Sequence, residues 1–487
     1  MRKIIPIVWI MAGFFQQMTS TIAQIPFNDK TYPFGIKPAS ASASTATAEY
    51  NNWKTDFVTT INAGGFQRVK YPQASNFTYT ASEGIGYGMV LAAYHNDKLL
   101  YDDLFGFFNL QKNKRGLMCW NIPFSGIKPL DGSPDYNCAT DADEDIAFSL
   151  IIANVQWGSS GNINYINEAA VLIDSLYKYC VDSVFYLLKP GDVYGDANCL
   201  NPSYFSLSYY SYFSALTYNS GWDSVRVKGA SVLSSASSLN STGLVGDWAD
   251  EFGGLPSSCS WRPVEYEYDA SRIPWRVGID YLWNGSADSK TICDKIINWT
   301  LTSPISGNAS VITDGYYKNG IQKGTNKNNP VISGFQTGAM ASANGTWLNN
   351  LYNENLLRND DWFFNRTTKV LSLFTASGNF WSPASQTLNI QEPEEEKCFS
   401  VFPNPMVWSA VIYSNARYIE NCSIKIFDVA GNIVKNDSNI NPAGFGFISN
   451  GVNQFPFTIE RGCIASGIYI LEISSKTKTE RTKLIIN

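Results

Sequence analysis

The chain reads as a mainly α-helical large domain followed by a small all-β, sandwich-like domain, and three observations predict this. Apolar residues recur at helical spacing through residues 48–388, whereas short β-rich runs separated by turn residues fill 398–487. Between them lies an acidic, proline-containing stretch, Gln391-Glu392-Pro393-Glu394-Glu395-Glu396-Lys397, with no apolar periodicity. At 487 residues the chain also exceeds the roughly 250–300 at which one core normally stops growing, so two domains are expected.

Taken in order, the chain begins with Arg2 and Lys3, an apolar run from Ile4 to Phe15 and a polar stretch ending Thr21-Ile22-Ala23. This is the layout of a signal peptide, too short to span a bilayer, and it predicts cleavage near Ala23. Residues 24–47, which include the small-residue stretch Pro38 to Thr47, read as a leader before the first helix. Helical candidates follow at Tyr50–Asn62, Glu83–Tyr94, Asp143–Trp157, Asn167–Tyr179, Tyr204–Tyr218, Ile273–Trp283 and Ser289–Thr300. In the third, Ile146, Leu150, Ala153 and Trp157 mark one face at i, i+4, i+7 and i+11. Long Gly, Asn and Ser-rich loops lie between them, where function is expected. Residues 389–397 form the acidic linker, and strands are expected at Ser423–Phe427, Gln454–Ile459, Ile468–Ile473 and Thr482–Ile486. No stretch after the first has the length and apolarity of a membrane span, so a mature form without an integral span is expected, as a monomer.

Composition narrows the chemistry. Charged residues make up 16% of the chain and the net charge is −6, which offers no basic patch for nucleic acid. Aromatics reach 14%, with 27 Tyr and 14 Trp. They suit ordinary core packing, and they also suit stacking on the flat C–H faces of sugars. His95 is the only histidine, and the nine cysteines form no C-x-x-C pair. That removes histidine triads and most zinc constellations. With no Gly-rich phosphate loop and no G-x-S-x-G, carboxylate chemistry remains, and acid/base work by carboxylates requires no metal or organic cofactor.

Three acidic clusters could carry it. Ser82-Glu83-Gly84-Ile85-Gly86-Tyr87-Gly88-Met89 opens a helical run with three glycines, each costing about 1 kcal/mol in a helix. Bare backbone would let a ligand approach Glu83, although Ser82-Glu83 also fits a plain helix cap. Ala139-Thr140-Asp141-Ala142-Asp143-Glu144-Asp145 leads into a helix, where carboxylates are common capping residues. Tyr268-Asp269-Ala270-Ser271-Arg272-Ile273-Pro274-Trp275-Arg276 places Asp269 and Arg272 three apart, which also suits a surface ion pair, with Pro274 in a first turn.

Together these stretches resemble the motifs of glycoside hydrolase family 8. The run Ala139-Thr140-Asp141-Ala142-Asp143-x-x-Ile146-Ala147-x-Ser149-Leu150-Ile151-x-Ala153-x-x-x-Trp157 is similar to the family signature. The Glu83 and Asp269 stretches resemble its general-acid and general-base motifs, in the family's order. The resemblance spans about 48–388. It implies an (α/α)6 barrel with an open groove for a β-1,4-linked polysaccharide, with Glu83 as general acid, Asp269 as general base, Asp141 beside the sugar at the cleaved bond and Arg272 orienting or tuning Asp269. It further implies substrate contacts at Trp120, Tyr87 and Tyr209, the last standing where a tryptophan is common after Asn201-Pro202-Ser203-Tyr204-Phe205. Trp362-Phe363-Phe364 stands where relatives often carry tyrosines. The expected activity is an inverting endo-β-1,4-glucanase acting on cellulose derivatives or mixed-linkage glucan, ahead of a xylanase, a reducing-end xylanase, a chitosanase and an inactive polysaccharide binder.

In the last segment, Val401-Phe402-Pro403-Asn404-Pro405, Ile426-Phe427-Asp428-Val429-Ala430-Gly431, Gly467-Ile468-Tyr469-Ile470 and the ending Lys483-Leu484-Ile485-Ile486-Asn487 resemble a type IX secretion sorting domain. That implies the type IX machinery as a partner, and a secreted or cell-surface location reached through the periplasm. A carbohydrate-binding module is the competing idea, but Trp408 and a few Tyr and Phe offer little of the aromatic strip it would want.

Overall fold

The computed structural model describes residues 24–385 and, beyond them, the strands and parts of the turns between 399 and 486. The expected signal peptide and acidic linker lie outside the described residues, as do Pro403-Asn404-Pro405 and Trp408. Two compact units result, Met1–Thr387 and Leu388–Asn487.

Among the described residues the first unit holds twelve α-helices: α1 Ala43–Phe57, α2 Ser82–Tyr94, α3 Lys98–Leu110, α4 Thr140–Trp157, α5 Tyr165–Cys180, α6 Tyr210–Thr217, α7 Gly221–Ser238, α8 Ile273–Asn284, α9 Ala287–Thr300, α10 Asn329–Ser342, α11 Gly345–Leu357 and α12 Phe363–Ala376. Burial sorts them into two layers. Helix α5 buries Tyr165, Ala169, Leu172, Ile173, Leu176 and Cys180, a single stripe at helical spacing, as an outer helix should. Helix α10 instead buries every residue from Asn329 to Ala341, and α2 buries all but Glu83. A helix covered on every side lies inside a ring of others. The inner helices touch one another, α2 against α4 and α12, and α10 against α8 and α12, while α3, α5, α9 and α11 pack outside. This is the α/α barrel, with inner and outer helices alternating along the chain.

The layering explains part of where sequence reading stopped. Helices α3, α7, α10, α11 and α12 were not among the expected elements; for the inner helices α10 and α12 the reason is that helices wet on no side need no periodicity, a reason that does not extend to the outer α3 and α11. Helix α10 instead carries small residues for close packing. A Cβ at Gly334 would sit 2.1 Å from the Ser271 carbonyl oxygen. The glycines after Glu83 serve the same end, since a Cβ at Gly86 would lie 2.9 Å from the Ala142 carbonyl, where α2 meets α4. They face protein rather than leave room for a ligand.

Two expected boundaries move. The first helix starts at Ala43, capped by Ser42, rather than at Tyr50. The stretch read as a leader lies on the helical unit, with Lys30 N–H bonded to Ser377 O (3.0 Å) and Ile36 N–H to Met340 O (2.9 Å). His95 is structural: it stacks on Tyr50 at 4.2 Å, and burial pushes its pKa down to about 4.

The second unit forms two four-stranded antiparallel sheets. One orders its strands 433–440, 422–427, 467–474, 479–486, and the other 447–449, 452–460, 409–415, 399–402. Ile424 and Ile426, Leu471 and Ile473, and Leu484 and Ile486 alternate into a common core at period two.

Candidate active site

Three inner helices bring their N-terminal ends to one place. Glu83 sits in the first turn of α2, Asp141 in the first turn of α4, and Arg272 immediately before α8, at the end of a 3-10 turn, Ala270–Arg272, whose N-cap is Asp269. Helix N-termini favour negative charge, so the barrel architecture itself assists a gathering of carboxylates at this end. Pro274, in the first turn of α8, is tolerated because its missing N–H is one the helix does not use.

Arg272 is the hub. Its Nη1 donates to Glu83 Oε1 (2.8 Å) and Asp141 Oδ2 (2.7 Å), and its Nη2 donates to Asp269 Oδ1 (2.8 Å) and Ser203 Oγ (2.8 Å). The guanidinium is 3% exposed, Asp141 5%, Glu83 16% and Asp269 37%. The surface ion pair read from the spacing of Asp269 and Arg272 is therefore a four-group cluster, buried on one side and open on the other. Asn201 Nδ2 donates to the second oxygen of Asp269 (2.9 Å). Asp247 fixes the backbone on both sides of the base candidate, accepting from Glu267 N–H (3.1 Å) and Ala270 N–H (2.8 Å). The Tyr204 and Phe364 rings lie 5.3 and 5.8 Å from the Arg272 guanidinium carbon.

The two exposed carboxylates open into a pocket of about 800 Å³, whose walls include Tyr71, Tyr268, Trp362, Phe364 and Asn365. Aromatic faces beside hydrogen-bonding groups suit a ligand with flat apolar surfaces and a polar rim. Glu83 is the electrostatic outlier. Burial lifts its pKa, Arg272 opposes, and Asp141, Asp269 and Asp145 add to the rise, leaving it at about 8. Asp141 is raised as well, again by burial first, with Arg272 opposing. One guanidinium among three carboxylates cannot neutralise all of them, so a proton stays in the cluster at neutral pH. Asp141 Oδ1 is buried with no hydrogen-bond partner.

Other candidates fall elsewhere. Trp120 is exposed, and its backbone joins the site, with Ser82 N–H bonded to Trp120 O (2.8 Å). Tyr209, expected to meet sugar, is 1% exposed: it stacks on Phe148 at 3.8 Å and donates to Asp145 Oδ1 (3.1 Å). Tyr87, also expected to contact substrate, is 1% exposed, one turn below Glu83 and edge-on to Trp275. Both are packing residues beneath the site: Tyr87 lies in α2, which is buried nearly all round, and Tyr209 caps α6 with its ring on Phe148. Asn201 and Ser203 stood in a quoted stretch without a role, while Asp247 and Tyr71 carried no signal in the sequence. Of the Trp362-Phe363-Phe364 run, Trp362 is exposed in the pocket and Phe363 is fully buried.

Comparison with known proteins places this geometry. Residues 26–378 match the family model for glycosyl hydrolases family 8, and residues 400–487 match the secretion system C-terminal sorting domain. Endoglucanase 2 of Ruminiclostridium josui is 37% identical over 372 residues, covering 74% of this chain and 78% of that protein. Endoglucanase A of Acetivibrio thermocellus is 34% identical over 408 residues, 82% of each. The solved structure of a beta-1,3-1,4-glucanase from Paenibacillus sp. X4 aligns with TM-score 0.67 at 28% identity, covering 73% of this chain and 99% of that one. A cold-adapted family 8 xylanase shares the fold, with TM-score 0.60 at 20% identity over 69% of this chain and 92% of that one. The C-terminal unit is a type IX sorting domain, so the protein is secreted or held at the cell surface, and no helix among the described residues is long and apolar enough to cross a membrane. The helical unit is a glycoside hydrolase, and the chain belongs to glycosyl hydrolase family 8.

Proposed function

We propose that this enzyme is an endo-acting β-1,4-glucanase, taking cellulose derivatives or mixed-linkage glucan, that inverts the anomeric centre. The observation that carries the reading is the division of labour around Arg272. Glu83, with a pKa of about 8, keeps its proton at neutral pH and is the general acid. Arg272 donates to Oε1, which leaves Oε2 to carry that proton to the glycosidic oxygen. Asp269 is the most solvent-exposed of the three carboxylates, and Arg272 and Asn201 hold it in one orientation. It is the general base, taking a proton from water that attacks the opposite face of the sugar. The unpartnered Oδ1 of Asp141 suits a hydroxyl of the sugar at the cleaved bond. Exposed Trp120, whose carbonyl accepts from the Ser82 N–H beside Glu83, provides a stacking face. The glucan preference rests on the endoglucanase relatives. We take the helical unit to act as a monomer without the sorting domain, which has its own core.

Stereochemistry tests the reading. Proton NMR of the first products from a β-glucan, recorded before mutarotation, should show the α-anomer, and Asp269→Asn should abolish its formation. Early β-anomer would replace the base with a nucleophile. Running carboxymethylcellulose, lichenan, xylan and chitosan in parallel, with product sizes over time, decides the substrate and the endo mode. Faster turnover of xylan would move the enzyme to the xylanase branch.

A further inference from the structure

The loop between Asp250 and Arg262 combines two properties: its backbone is braced, and it shows large apolar side chains to water. Phe252 is 68% exposed, Leu255 69% and Trp261 71%. Single exposed apolar residues are ordinary, but three on one loop with no internal partner call for an explanation. Mobility is not it, because the loop is braced along its length. The Cys199–Cys259 disulfide ties it to the neighbouring segment. Asp250 Oδ1 accepts from the N–H groups of Phe252 (2.9 Å) and Gly254 (2.7 Å), and Glu251 pairs with Lys228 (2.7 Å). Arg262 lies 4.5 Å from the Trp248 ring and bonds the Tyr194 hydroxyl (3.2 Å), which pins the residue next to Trp261.

The stem of this loop is the frame of the base. Asp247 and Trp248 N–H groups bond to the Glu265 and Pro263 carbonyls, and Ala249 exchanges backbone bonds with Leu200, next to Asn201. Asp247 and Asn201 are the residues that hold Asp269 and its flanks. The exposed side chains therefore sit on a rigid arm continuous with the catalytic site.

We propose that loop 250–262 is a polysaccharide-binding platform, on which Trp261 and Phe252 stack against sugar rings of the glucan chain outside the catalytic pocket. The proposal rests on the polysaccharide substrate named above. A backbone already fixed in place loses little entropy on binding, which is the advantage of bracing such a loop. Charge favours this partner over an anionic membrane, which would want clustered Lys and Arg. The loop's charged side chains Asp250, Glu251 and Arg262 are engaged with the protein itself, and the chain carries a net −6.

The test uses the full chain with the double substitution Trp261→Ala/Phe252→Ala, together with Trp261→Tyr. Retention on insoluble β-glucan should fall about tenfold in the double variant, as for an aromatic hot spot, and stay near wild type in Trp261→Tyr. Hydrolysis of a short soluble β-1,4-gluco-oligosaccharide should be unchanged in both. Unchanged retention, an equal loss on the short oligosaccharide, or a wild-type protein that does not adsorb would overturn the platform. So would adsorption to phosphatidylglycerol vesicles that the double variant loses, since the partner would then be lipid. Wild-type protein that cleaves no β-glucan would instead count against the proposed function, so the two failures are distinguishable.

Discussion

Arg272 and Arg276 stand one turn apart at the head of α8, each 3% exposed, yet they lead opposite lives. Arg276 meets a single carboxylate in a fork, Nη1 to Asp145 Oδ1 (2.8 Å) and Nη2 to Oδ2 (2.7 Å), with Tyr209 closing the arrangement. Charges match one to one, which is the way a buried pair becomes tolerable. Arg272 is shared by Glu83, Asp141 and Asp269 and lies beside a pocket. The lower pair is matched charge for charge, although Arg276 Nε finds no partner, and the upper cluster has two cations too few. A proton kept on Glu83 makes up part of the deficit, and a proton held by an acid facing a groove is available for chemistry. Chemistry thus belongs to the layer whose electrostatics are left incomplete.

The largest effect expected from this contrast is kinetic. Glu83→Gln keeps the shape and the Arg272 contact while removing the transferable proton, so turnover should fall roughly 10²–10⁴-fold. The thermal unfolding midpoint should stay within a few degrees of wild type. Activity within a few-fold of wild type would make the upper cluster as structural as the lower.

Breaking the lower pair should do the reverse. Arg276→Met strands Asp145 in the interior, where loss of one partner from a buried pair costs about 3–5 kcal/mol. Urea unfolding should show that loss as a lower midpoint at unchanged slope. Adding Asp145→Leu, which removes the stranded charge, should recover most of it. A midpoint unmoved by Arg276→Met would show that the pair contributes nothing and that the contrast between the two arginines is one of geometry alone.

The same contrast marks what was legible beforehand. Glu83, Asp141, Asp269 and Arg272 lie in compact motifs, and the structure brings all four together; what local spacing could not convey was that Arg272 reaches across to α2 and α4. Trp120 stays exposed, whereas Tyr87 and Tyr209 fall into the core. Residue type cannot distinguish these fates, because a tyrosine over a sugar and a tyrosine under a salt bridge look alike until the helix's covered faces are known. Helix α5 announced itself by one apolar stripe, and α10, covered on every side, did not. Asp247 was invisible for another reason: it acts on backbone N–H groups some twenty residues away, and no local pattern records such a bond.

The smallest effect concerns the position of a pH limb, and it probes the deficit directly. Glu83 has its pKa raised from 4.5 to about 8, by burial first and then by the negative charges of Asp141, Asp269 and Asp145 against Arg272. A general acid works while protonated, so kcat/KM should fall on the alkaline side as pH rises through about 8. Stability follows the same sign: the folded state binds this proton more tightly than the unfolded chain, so the contribution is full below about 4.5 and is lost as pH rises through about 8. Asp141→Asn removes one of the charges that hold the proton and leaves Arg272 freer to favour the ionised form of Glu83. Both changes act in one direction, so the alkaline limb should move to lower pH. The position of the limb is separate from its height, which will also drop if Asp141 touches sugar. A limb that stays in place while the rate falls would mean that Asp141 serves only as a substrate contact. Burial and the remaining carboxylates would then set the proton on Glu83 without it, and the count of three carboxylates to one cation would no longer explain the acid.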